Sequence, residues 1–229
     1  MKIRRCAWPQ TPSEAIGLQK VMKEKIILKY RGGQIKLVAG CDVSYRGKET
    51  TVASIVVMRY SDLGLVEEVT RVCKGKPFPY IPGLFSFREI PPLLLAIEEI
   101  KSEPDVFLFD GHGIAHPRRM GLATHAGILI DRPAIGCAKS RLYGQYDKVP
   151  VHKGDYTFLK DRKGDVIGAC VRTRKNVKPI FVSPGHRIDL EYAIEVVLHC
   201  TRRYKMPEPL RRAHFHTQRD LDKISRSAL

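Results

Sequence analysis

The sequence has no hydrophobic stretch long enough to cross a membrane. Its longest unbroken apolar runs, such as residues 91–97, fall well short of the about 20 residues that a spanning helix needs. The basic N-terminal segment is not followed by an apolar stretch, so it lacks the pattern of a signal peptide. We therefore expect a cytoplasmic protein without a membrane partner.

The sequence also lacks the cysteine spacings of a disulfide framework or a zinc site. Its six cysteines are scattered, with no CxxC pair and no Cys/His spacing typical of zinc ligands. Most of them lie in apolar, strand-like segments, where a cysteine serves as a small hydrophobic residue. No linker rich in Pro, Gly and Ser divides the chain. A chain of this length can form one large domain or two small ones. We expect a single domain, residues 1–229, that acts as a monomer.

Acidic residues are scarce relative to basic ones. The 229 residues include 40 Lys and Arg against 24 Asp and Glu, which gives a formal net charge of +16. At 43% hydrophobic residues, the chain has enough apolar material for a globular core. The positive charge favours a polyanionic partner, because Lys and Arg that contact phosphates release condensed counterions. On charge alone, a protein that is basic only for solubility remains an alternative.

The first part of the chain predicts one helix followed by three strands. Thr11 is a typical N-cap, since Pro12 follows it and Glu14 stands in the capping-box position. We expect this helix to run to about Leu28. Three β-branched, partly alternating segments come next, separated by polar turns, and they predict an antiparallel meander. These predicted strands are residues 35–45, 50–60 and 63–73.

The middle of the chain alternates helices with strands. Pro91 and Pro92 should confine the regular part of one helix to its later turns, because proline lacks the N–H that an inner turn uses. A short apolar run between two acids is typical of a buried parallel strand. The predicted elements are a helix at 86–101, strands at 105–110 and 133–138, and a helix at 121–131.

The last third of the chain predicts an irregular segment, two strands and two helices. Residues 143–163 are polar and irregular. A helix is expected to begin with Ser183 as its cap and Pro184 in its first turn. The predicted strands are 165–172 and 179–182, and the last helix is 210–224. Three antiparallel strands followed by alternating helices and parallel strands indicate an α/β fold of the ribonuclease-H-like class, with a mixed sheet flanked by helices.

Three acidic residues stand where apolar elements would bury them. A carboxylate buried in a sheet needs a compensating partner, and a metal ion is one when several carboxylates converge. Asp42 in the first strand and Asp110 at the end of the fourth would lie side by side if those strands are neighbours. Glu89 opens the intervening helix and can point into the same crevice. Each acid also has an ordinary explanation, because Asp caps turns and Glu89 fits a capping box with Ser86.

Converging carboxylates favour Mg²⁺ or Mn²⁺ over zinc, because these hard cations prefer oxygen ligands. Such a site suits phosphodiester hydrolysis, with either one or two ions. His214, in the last predicted helix, can orient the attacking water, take its proton or bind the metal. A lone helical His is more often an ordinary surface residue, so the residue type alone does not decide its role.

Two loops have compositions that suit contact with a nucleic acid. Residues 79–83, Pro-Tyr-Ile-Pro-Gly, have the rigidity and apolar tips of a wedge that enters a base stack. Composition alone favours a different interpretation, a Pro-rich turn with Tyr80 packed on the core. The glycines within residues 110–116 let the backbone approach a ligand closely, although this feature is weak by itself.

Six segments of the chain resemble the endonuclease V family, the deoxyinosine-directed repair nucleases. They follow the order of the family's motifs and cover residues 38–218. The succession of PYIPG, FRE and DGxGxAHPR is highly specific. The six segments are GCDVSY, PFPYIPGLFSFRE, PDVFLFDGHGIAHPRRMGLATHAG, IGCAKSRLYG, IFVSPGHRID and PEPLRRAHFHTQ.

The resemblance implies a ribonuclease-H-like enzyme whose partner is inosine-containing DNA. With Mg²⁺, or Mn²⁺ as a substitute, such an enzyme hydrolyses the second phosphodiester bond 3′ to hypoxanthine and leaves a 3′-hydroxyl and a 5′-phosphate. Asp42, Glu89 and Asp110 would be the metal ligands and catalytic carboxylates. His214 would be the further catalytic residue, assisting at the attacking water.

The resemblance also implies which residues surround the extruded base. The wedge would consist of Pro79, Tyr80, Ile81 and Pro82. The base pocket would consist of Leu84, Phe85, Gly111, His112, Gly113, Gly121 and Leu142. Phosphate or active-site contacts would come from Arg88, His116 and Lys139. A deaminated base is weakly paired and costs less to extrude than a normal base, which itself gives selectivity.

Two departures from the family pattern leave the preferred substrate open. His112 stands where a polar residue such as Gln also occurs in the family, and residues 145–155 match no family pattern. The same chemistry on inosine in RNA is an alternative, because loop geometry decides any contact with a 2′-hydroxyl. A junction resolvase or transposase-like nuclease of this fold would not need the wedge. A noncatalytic nucleic-acid-binding protein would not need three placed carboxylates.

Overall fold

A computed structural model describes residues 3–4 and 7–226 of the chain. The helices are α1 (Pro12–Lys23), α2 (Phe85–Glu99), α3 (Leu122–Ile130), α4 (Leu190–His199) and α5 (Glu208–Arg226). The strands are β1 (Leu37–Arg46), β2 (Thr50–Arg59), β3 (Leu65–Lys74), β4 (Val106–Phe109), β5 (Ala134–Ala138), β6 (Tyr156–Lys160), β7 (Val166–Val171) and β8 (Ile180–His186). None of the helices within this part of the chain has the length and hydrophobicity that crossing a membrane would require.

All eight strands form one mixed sheet in the order β3-β2-β1-β4-β5-β8-β7-β6. The first three strands form the predicted antiparallel meander. β4 then pairs parallel to β1, and β5 pairs parallel to β4. The predicted class of fold is therefore confirmed, but parallel pairing ends at β5, because β8, β7 and β6 are added antiparallel.

Side chains from successive residues of the central strands supply two hydrophobic cores, one on each face of the sheet. Val38 packs with residues of α4 and α5, whereas its neighbour Ala39 packs with residues of α2 and α3. This follows from the alternation of side chains along a strand. A Cβ on Gly40 would lie 2.2 Å from the carbonyl carbon of Pro209, so the absence of a side chain lets the start of α5 approach β1 closely.

Helix α2 differs from its prediction because it includes both prolines in its interior. Pro91 cannot donate to the carbonyl of Phe87 one turn earlier. The indole N–H of Trp8 donates to that carbonyl instead, at 3.1 Å. This tertiary hydrogen bond satisfies one acceptor that the proline leaves free, so the helix already begins at Phe85.

Two other boundaries in the sequence prediction are wrong. Helix α1 ends at Lys23 rather than near Leu28, because the chain then runs extended and the carbonyl of Ile27 accepts the N–H of Arg187 at 2.6 Å. Residues 143–163 are not irregular throughout, since they contain β6.

Ser183 and Pro184 lie in β8 and do not begin a helix. Pro184 has no backbone N–H to donate, and none is required there because it stands at a shift in the register between β5 and β8. Helix α4 begins later, where the side chain of Asp189 accepts the N–H of Tyr192 at 2.9 Å.

Asp131 joins three distant parts of the chain at the end of α3. Its backbone has φ 53°, a left-handed conformation that Asp and Asn tolerate better than most residues. Its carboxylate accepts hydrogen bonds from Arg187 at 2.7 Å, Arg4 at 2.9 Å and His186 at 3.3 Å. The hydrogen bond from Arg187 is the main reason that the pKa of Asp131 falls to about 2.

Asp131→Asn should therefore remove the part of the protein's stability that depends on an ionised Asp131. The pKa of about 2 in the folded protein lies below the unfolded value near 3.9, so the carboxylate contributes stability above about pH 4 and loses it as the pH falls toward 2. We expect the variant to be less stable than wild type at pH 7 by on the order of 1 kcal/mol, since the site is partly exposed. Urea unfolding from pH 7 to pH 2 should show the difference disappearing, whereas Asp222→Asn, at an exposed position of α5, should follow wild type. A difference independent of pH would contradict this role.

Candidate active site

The pairing of β1 with β4 brings two of the predicted site residues together. The parallel register runs from Val38 opposite Val106 to Cys41 opposite Phe109. Asp42 and Asp110 are the next residues of these two chains, and the N–H of Asp110 reaches the carbonyl of Cys41 at 3.4 Å. The two acids therefore stand side by side at the carboxyl ends of neighbouring strands.

Glu89 reaches this edge of the sheet from the first turns of α2. Its side chain is 5% exposed, and the hydroxyl of Tyr45 donates to its Oε1 at 3.5 Å. Burial raises the pKa of Glu89 well above its ordinary value, and the negative charges of Asp42 and Asp110 raise it further. The three carboxylates are thus close enough for their charges to act on one another.

Lys139 and His214 supply positive charge to this acidic group. The Lys139 Nζ lies 2.5 Å from Asp110 Oδ2, yet burial still outweighs its attraction and raises the pKa of Asp110. The His214 Nδ1 lies 3.1 Å from Asp42 Oδ2. That hydrogen bond and the charge of Asp42 raise the pKa of His214 despite partial burial.

Hydroxyl groups hold the Asp42 carboxylate and the helical turn that begins at His214 in place. Thr217 Oγ1 lies 2.9 Å from Asp42 Oδ2 and 2.8 Å from Ser44 Oγ. Gln218 Nε2 donates to Ser44 at 2.8 Å. Sequence reasoning missed these three residues. Their spacing carried a signal, because Ser44 shares a strand face with Asp42 and Thr217 lies one helical turn after His214.

The donor set of this site fits a hard divalent cation. In the described part of the chain, no three His, Cys, Asp or Glu side chains are arranged tightly enough to hold a metal ion as they stand. Three carboxylates nevertheless meet here, two of them with pKa values raised by burial and like charge. Ionising all three calls for added positive charge, and oxygen ligands of this kind suit Mg²⁺ or Mn²⁺.

A pocket of about 350 Å³ opens beside Asp110 and Lys139. Most residues predicted for a base pocket line it, namely Phe85, Gly111, His112, Gly121 and Leu142. Ser86, Met120, Leu122, Ala138, Ser140 and Arg141 also line it and were missed by sequence reasoning.

Two residues predicted for the pocket lie behind its wall. Leu84 is buried against Ala15 and Phe87, and Gly113 donates its N–H to Ser183 Oγ at 2.8 Å. Gly113 has no room for a side chain, since a Cβ would lie 2.2 Å from the carbonyl oxygen of Pro184. Both residues shape the pocket from outside rather than line it.

The two histidines of the 110–116 loop are neutral hydrogen-bonding groups. Burial lowers the pKa of His112 to about 4, and its Nε2 lies 3.0 Å from the carbonyl oxygen of Ser140. Burial, helped by the charge of Arg118, also lowers the pKa of His116 to about 4. His116 lines the pocket, but its Nε2 donates to the carbonyl of Gly83 at 3.0 Å, so it does not present a charge to phosphate.

Tyr80 projects from the protein instead of packing in its core. Its side chain is 69% exposed, and its ring makes an edge-to-face contact with Phe85, with 6.0 Å between ring centres. The interpretation of residues 79–83 as an ordinary turn with a buried tyrosine is therefore wrong. Pro79 and Pro82 are also exposed, whereas Ile81 is half-buried against the cluster that contains Leu84.

Arg88 fixes the segment that leads into this projection. Its Nη1 donates to the carbonyl of Phe78 at 3.1 Å, and its guanidinium lies 4.2 Å from the centre of the Tyr45 ring. In this arrangement Arg88 links the chain before Tyr80 to the tyrosine that contacts Glu89.

Gly83 anchors the other end of the projecting segment. It has φ 79°, a left-handed conformation that favours glycine. Its carbonyl accepts hydrogen bonds from Gln19 Nε2 at 3.0 Å, His116 Nε2 at 3.0 Å and Arg118 Nη2 at 2.7 Å. Three donors on one carbonyl tie the wedge segment to the pocket loop and to helix α1.

Gln19 and Arg118 are the donors of this anchor that sequence reasoning missed, and Gln19 contacts both other parts of it. Gln19 is fully buried on the face of α1 that also carries Ala15 and Met22. Its amide nitrogen also reaches the carbonyl of Met120 at 3.3 Å, and its oxygen accepts from Arg118 Nε at 2.5 Å. A glutamine on the apolar face of a helix was the available signal, because a buried amide requires partners.

The chain matches the model of one protein family, described as endonuclease V, over residues 20–215. It is 49% identical over 208 residues to the endonuclease V of Methanothrix thermoacetophila, which covers 91% of each chain. It is 46% identical over 214 residues to the endonuclease V of Rippkaea orientalis, covering 92% of each.

Solved structures of similar proteins share the whole fold. The endonuclease V of Streptomyces avermitilis superimposes with a TM-score of 0.90 at 38% identity, covering 98% of this chain and all of the other. The endonuclease V of Ciona intestinalis was solved in complex with a 24mer DNA containing an inosine followed by a ribo-adenosine. It superimposes with a TM-score of 0.82 at 33% identity, covering 93% of this chain and 98% of the other.

Gln19→Met should loosen the wedge segment. The change keeps the size of the side chain but removes one of the three donors to Gly83, the donor to the buried Met120 carbonyl and the acceptor of Arg118 Nε, which should cost about 1–3 kcal/mol of stability. The amide of Leu84, which donates to Ile81 across this turn, should exchange with solvent faster than in wild type. Urea unfolding and hydrogen exchange measure the two effects. Gln34→Met, at an exposed position, is the matched control. Unchanged exchange at Leu84 would contradict the anchoring role.

Proposed function

The chain belongs to the endonuclease V family and is a nuclease that hydrolyses phosphodiester bonds, and from this premise we propose that it acts on deoxyinosine in DNA. The proposed reaction uses Mg²⁺, or Mn²⁺ as a substitute, and cuts the second phosphodiester bond 3′ to the lesion. The observation that carries the proposal is the convergence of Asp42, Glu89 and Asp110 beside a pocket of about 350 Å³, with Tyr80 projecting at its rim.

The proposed chemistry assigns a separate task to each charged group. Asp42, Glu89 and Asp110 would hold the metal, which when bound supplies Lewis-acid stabilisation of the charge on the phosphate. His214, held through Nδ1 by Asp42 and half exposed, would orient the attacking water and take its proton. The water oxygen bonds to phosphorus, the bond to O3′ breaks, and O3′ takes a proton from solvent, so that a 3′-hydroxyl and a 5′-phosphate remain. Lys139 would lie against the phosphate while keeping its contact with Asp110.

The proposed selection of the lesion depends on extrusion of the base. Hypoxanthine pairs weakly, so unstacking it costs less than unstacking a normal base. The exposed ring of Tyr80 would fill the space that the extruded base leaves in the stack. The base would enter the pocket between Phe85, Leu142 and the backbone of Gly111. We further propose that the chain does this as one domain and as a monomer in the cytoplasm, since site residues come from Asp42 through His214.

Inosine in RNA remains the main alternative substrate. The Ciona intestinalis structure contains DNA in which a ribo-adenosine follows the inosine, so a relative accommodates a 2′-hydroxyl at that position. Competition between matched DNA and RNA oligonucleotides at one salt concentration would distinguish the two preferences. The exposure of Tyr80 disfavours a resolvase-like substrate, which needs no wedge. The match to a nuclease family disfavours a protein that only binds.

Asp110→Asn should abolish cleavage without unfolding the protein. The substitution removes a negative charge from the carboxylate group and with it the means to hold the metal, so nicking should fall by about a thousandfold or more. End-labelled duplex DNA with one deoxyinosine, incubated with and without Mg²⁺, measures the loss and maps the nick. Asp222→Asn removes one exposed acid from α5 and should nick like wild type. A folded Asp110→Asn enzyme that nicks at the wild-type rate would show that the metal site lies elsewhere.

Tyr80→Ala should reduce discrimination more than affinity. Removing the ring takes away the group that replaces the extruded base, so the ratio of inosine to adenine cleavage should fall about tenfold. Binding to undamaged duplex should change less than twofold, because phosphate contacts dominate it. Tyr204→Ala serves as control, since Tyr204 is also exposed, at 47%. Equal losses of lesion cleavage and nonspecific binding would contradict the wedge role.

A further inference from the structure

The segment from residue 145 to β6 lies along the sheet. Gln145 pairs with Lys160 of β6 through reciprocal backbone hydrogen bonds of 2.7 and 2.8 Å. Thr157 Oγ1 donates to the carbonyl of Asp147 at 2.9 Å. Gly144 permits the approach with φ 91°, since a Cβ there would lie 2.8 Å from the carbonyl oxygen of Lys160. The loop after the base pocket is therefore fixed along the β6 edge of the sheet.

A separate hydrophobic cluster supports this loop from below. The cluster joins the loop to β6, β7 and β8 and extends to the end of β5. Its buried members are Ala115, Ala138, Val149, Leu159, Ile167, Cys170 and Phe181. Because Ala138 belongs to this cluster and also lines the base pocket, the loop and the pocket pack on the same cluster.

Three shallow depressions continue outward from the pocket, and all three include Arg141, which also lines the pocket itself. Four cations and one tyrosine among their lining residues are called the flank surface. They are Arg141, Tyr146, Lys160, Arg162 and Lys178.

The cations of the flank surface are available to an outside anion. The four Lys and Arg residues are exposed, and none forms an ion pair with a carboxylate in residues 3–4 and 7–226. Two acids border the surface. Asp161 is already held by Arg119 at 2.6 Å, which leaves Asp147 as the nearby acid on this side. Positive charge therefore prevails along a path that begins at the pocket.

Tyr146 is the aromatic member of the flank surface. Its ring stands edge to face with Phe181, at 5.3 Å between ring centres and an interplanar angle of 76°. The guanidinium of Arg141 lies 5.9 Å from its ring centre. These contacts hold the ring, which is still 40% exposed. An exposed ring among unpaired cations is the combination that binds unpaired nucleic acid, through base stacking and phosphate contacts.

We propose that the flank surface binds an unpaired stretch of the DNA strand next to the extruded base. Arg141, Arg162 and Lys178 contact its phosphates, and Tyr146 stacks on one of its bases. The inference rests on the proposed function, because the pocket gives the strand its starting point. It deepens that function by assigning residues 145–163 to strand binding. The contacts are independent of sequence, since every base has a face for stacking.

The test compares inosine-containing duplexes that end close to the lesion with the same duplexes carrying an unpaired tail on the 5′ or the 3′ side. Fluorescence anisotropy in EDTA measures Kd without cleavage. Wild type should bind one tailed duplex more tightly than the blunt one. Tyr146→Ala should weaken tailed binding about tenfold and blunt binding less than twofold. Tyr156→Ala is the matched control, because Tyr156 lies at the start of β6, is also 40% exposed and lines none of the three depressions.

Charge is tested in the same assay. Arg162→Gln should lower the slope of log Kd against log salt on the tailed duplex by about 0.7, the value for one phosphate of a single strand. Arg174→Gln removes an equal charge from an exposed position off the surface and should leave the slope unchanged.

Three results would overturn the proposal: no effect of either tail on wild type, equal losses on tailed and blunt duplexes, or equal effects of each variant and its control. Nicking by wild type with Mg²⁺ is scored separately. Absence of nicking at inosine would contradict the proposed function, whereas the metal-free tail comparison would still decide the flank surface.

Discussion

The parallel pairing of β1 with β4 is the constraint on which the site depends, because it sets Asp42 beside Asp110 in a buried part of the sheet. Two like charges in such a place oppose ionisation, and Glu89 from α2 adds a third. The surrounding structure compensates with the ammonium of Lys139, directly after β5, and the imidazole of His214 from α5. The three carboxylates are costly to ionise without added positive charge. For the same reason, the site is suited to a divalent cation.

Close packing of α5 on the sheet provides that imidazole. Gly40 allows the backbone of α5 to approach β1, and this sets the depth at which His214 meets Asp42. Thr217 on the next turn reaches the same carboxylate oxygen. A helix held by its backbone and by two side chains keeps His214 oriented although half of the imidazole is exposed.

The wedge and the pocket are mechanically one unit. The carbonyl of Gly83 receives donors from α1 and from the loop that forms the pocket wall, so neither part can move without affecting the other. His116 is part of this connection through its hydrogen bond to Gly83, and burial keeps its pKa low, although its motif position suggested a phosphate or active-site contact. On the far side of the pocket, the cluster under residues 143–163 extends the same rigid framework toward the flank surface.

The sequence by itself determined the antiparallel meander, the buried β4, the mixed sheet and the candidate acids, because alternation of apolar residues and Asp in apolar runs are local signals. It could not determine the hydrogen bonds and burial that residues distant in the chain provide. Only tertiary contacts decided that α2 continues through Pro91, where Trp8 replaces the missing donor, and that Pro184 lies in a strand. They also decided that Gln19 belongs to the site and that Tyr80 projects, since burial depends on neighbours that are remote in the chain.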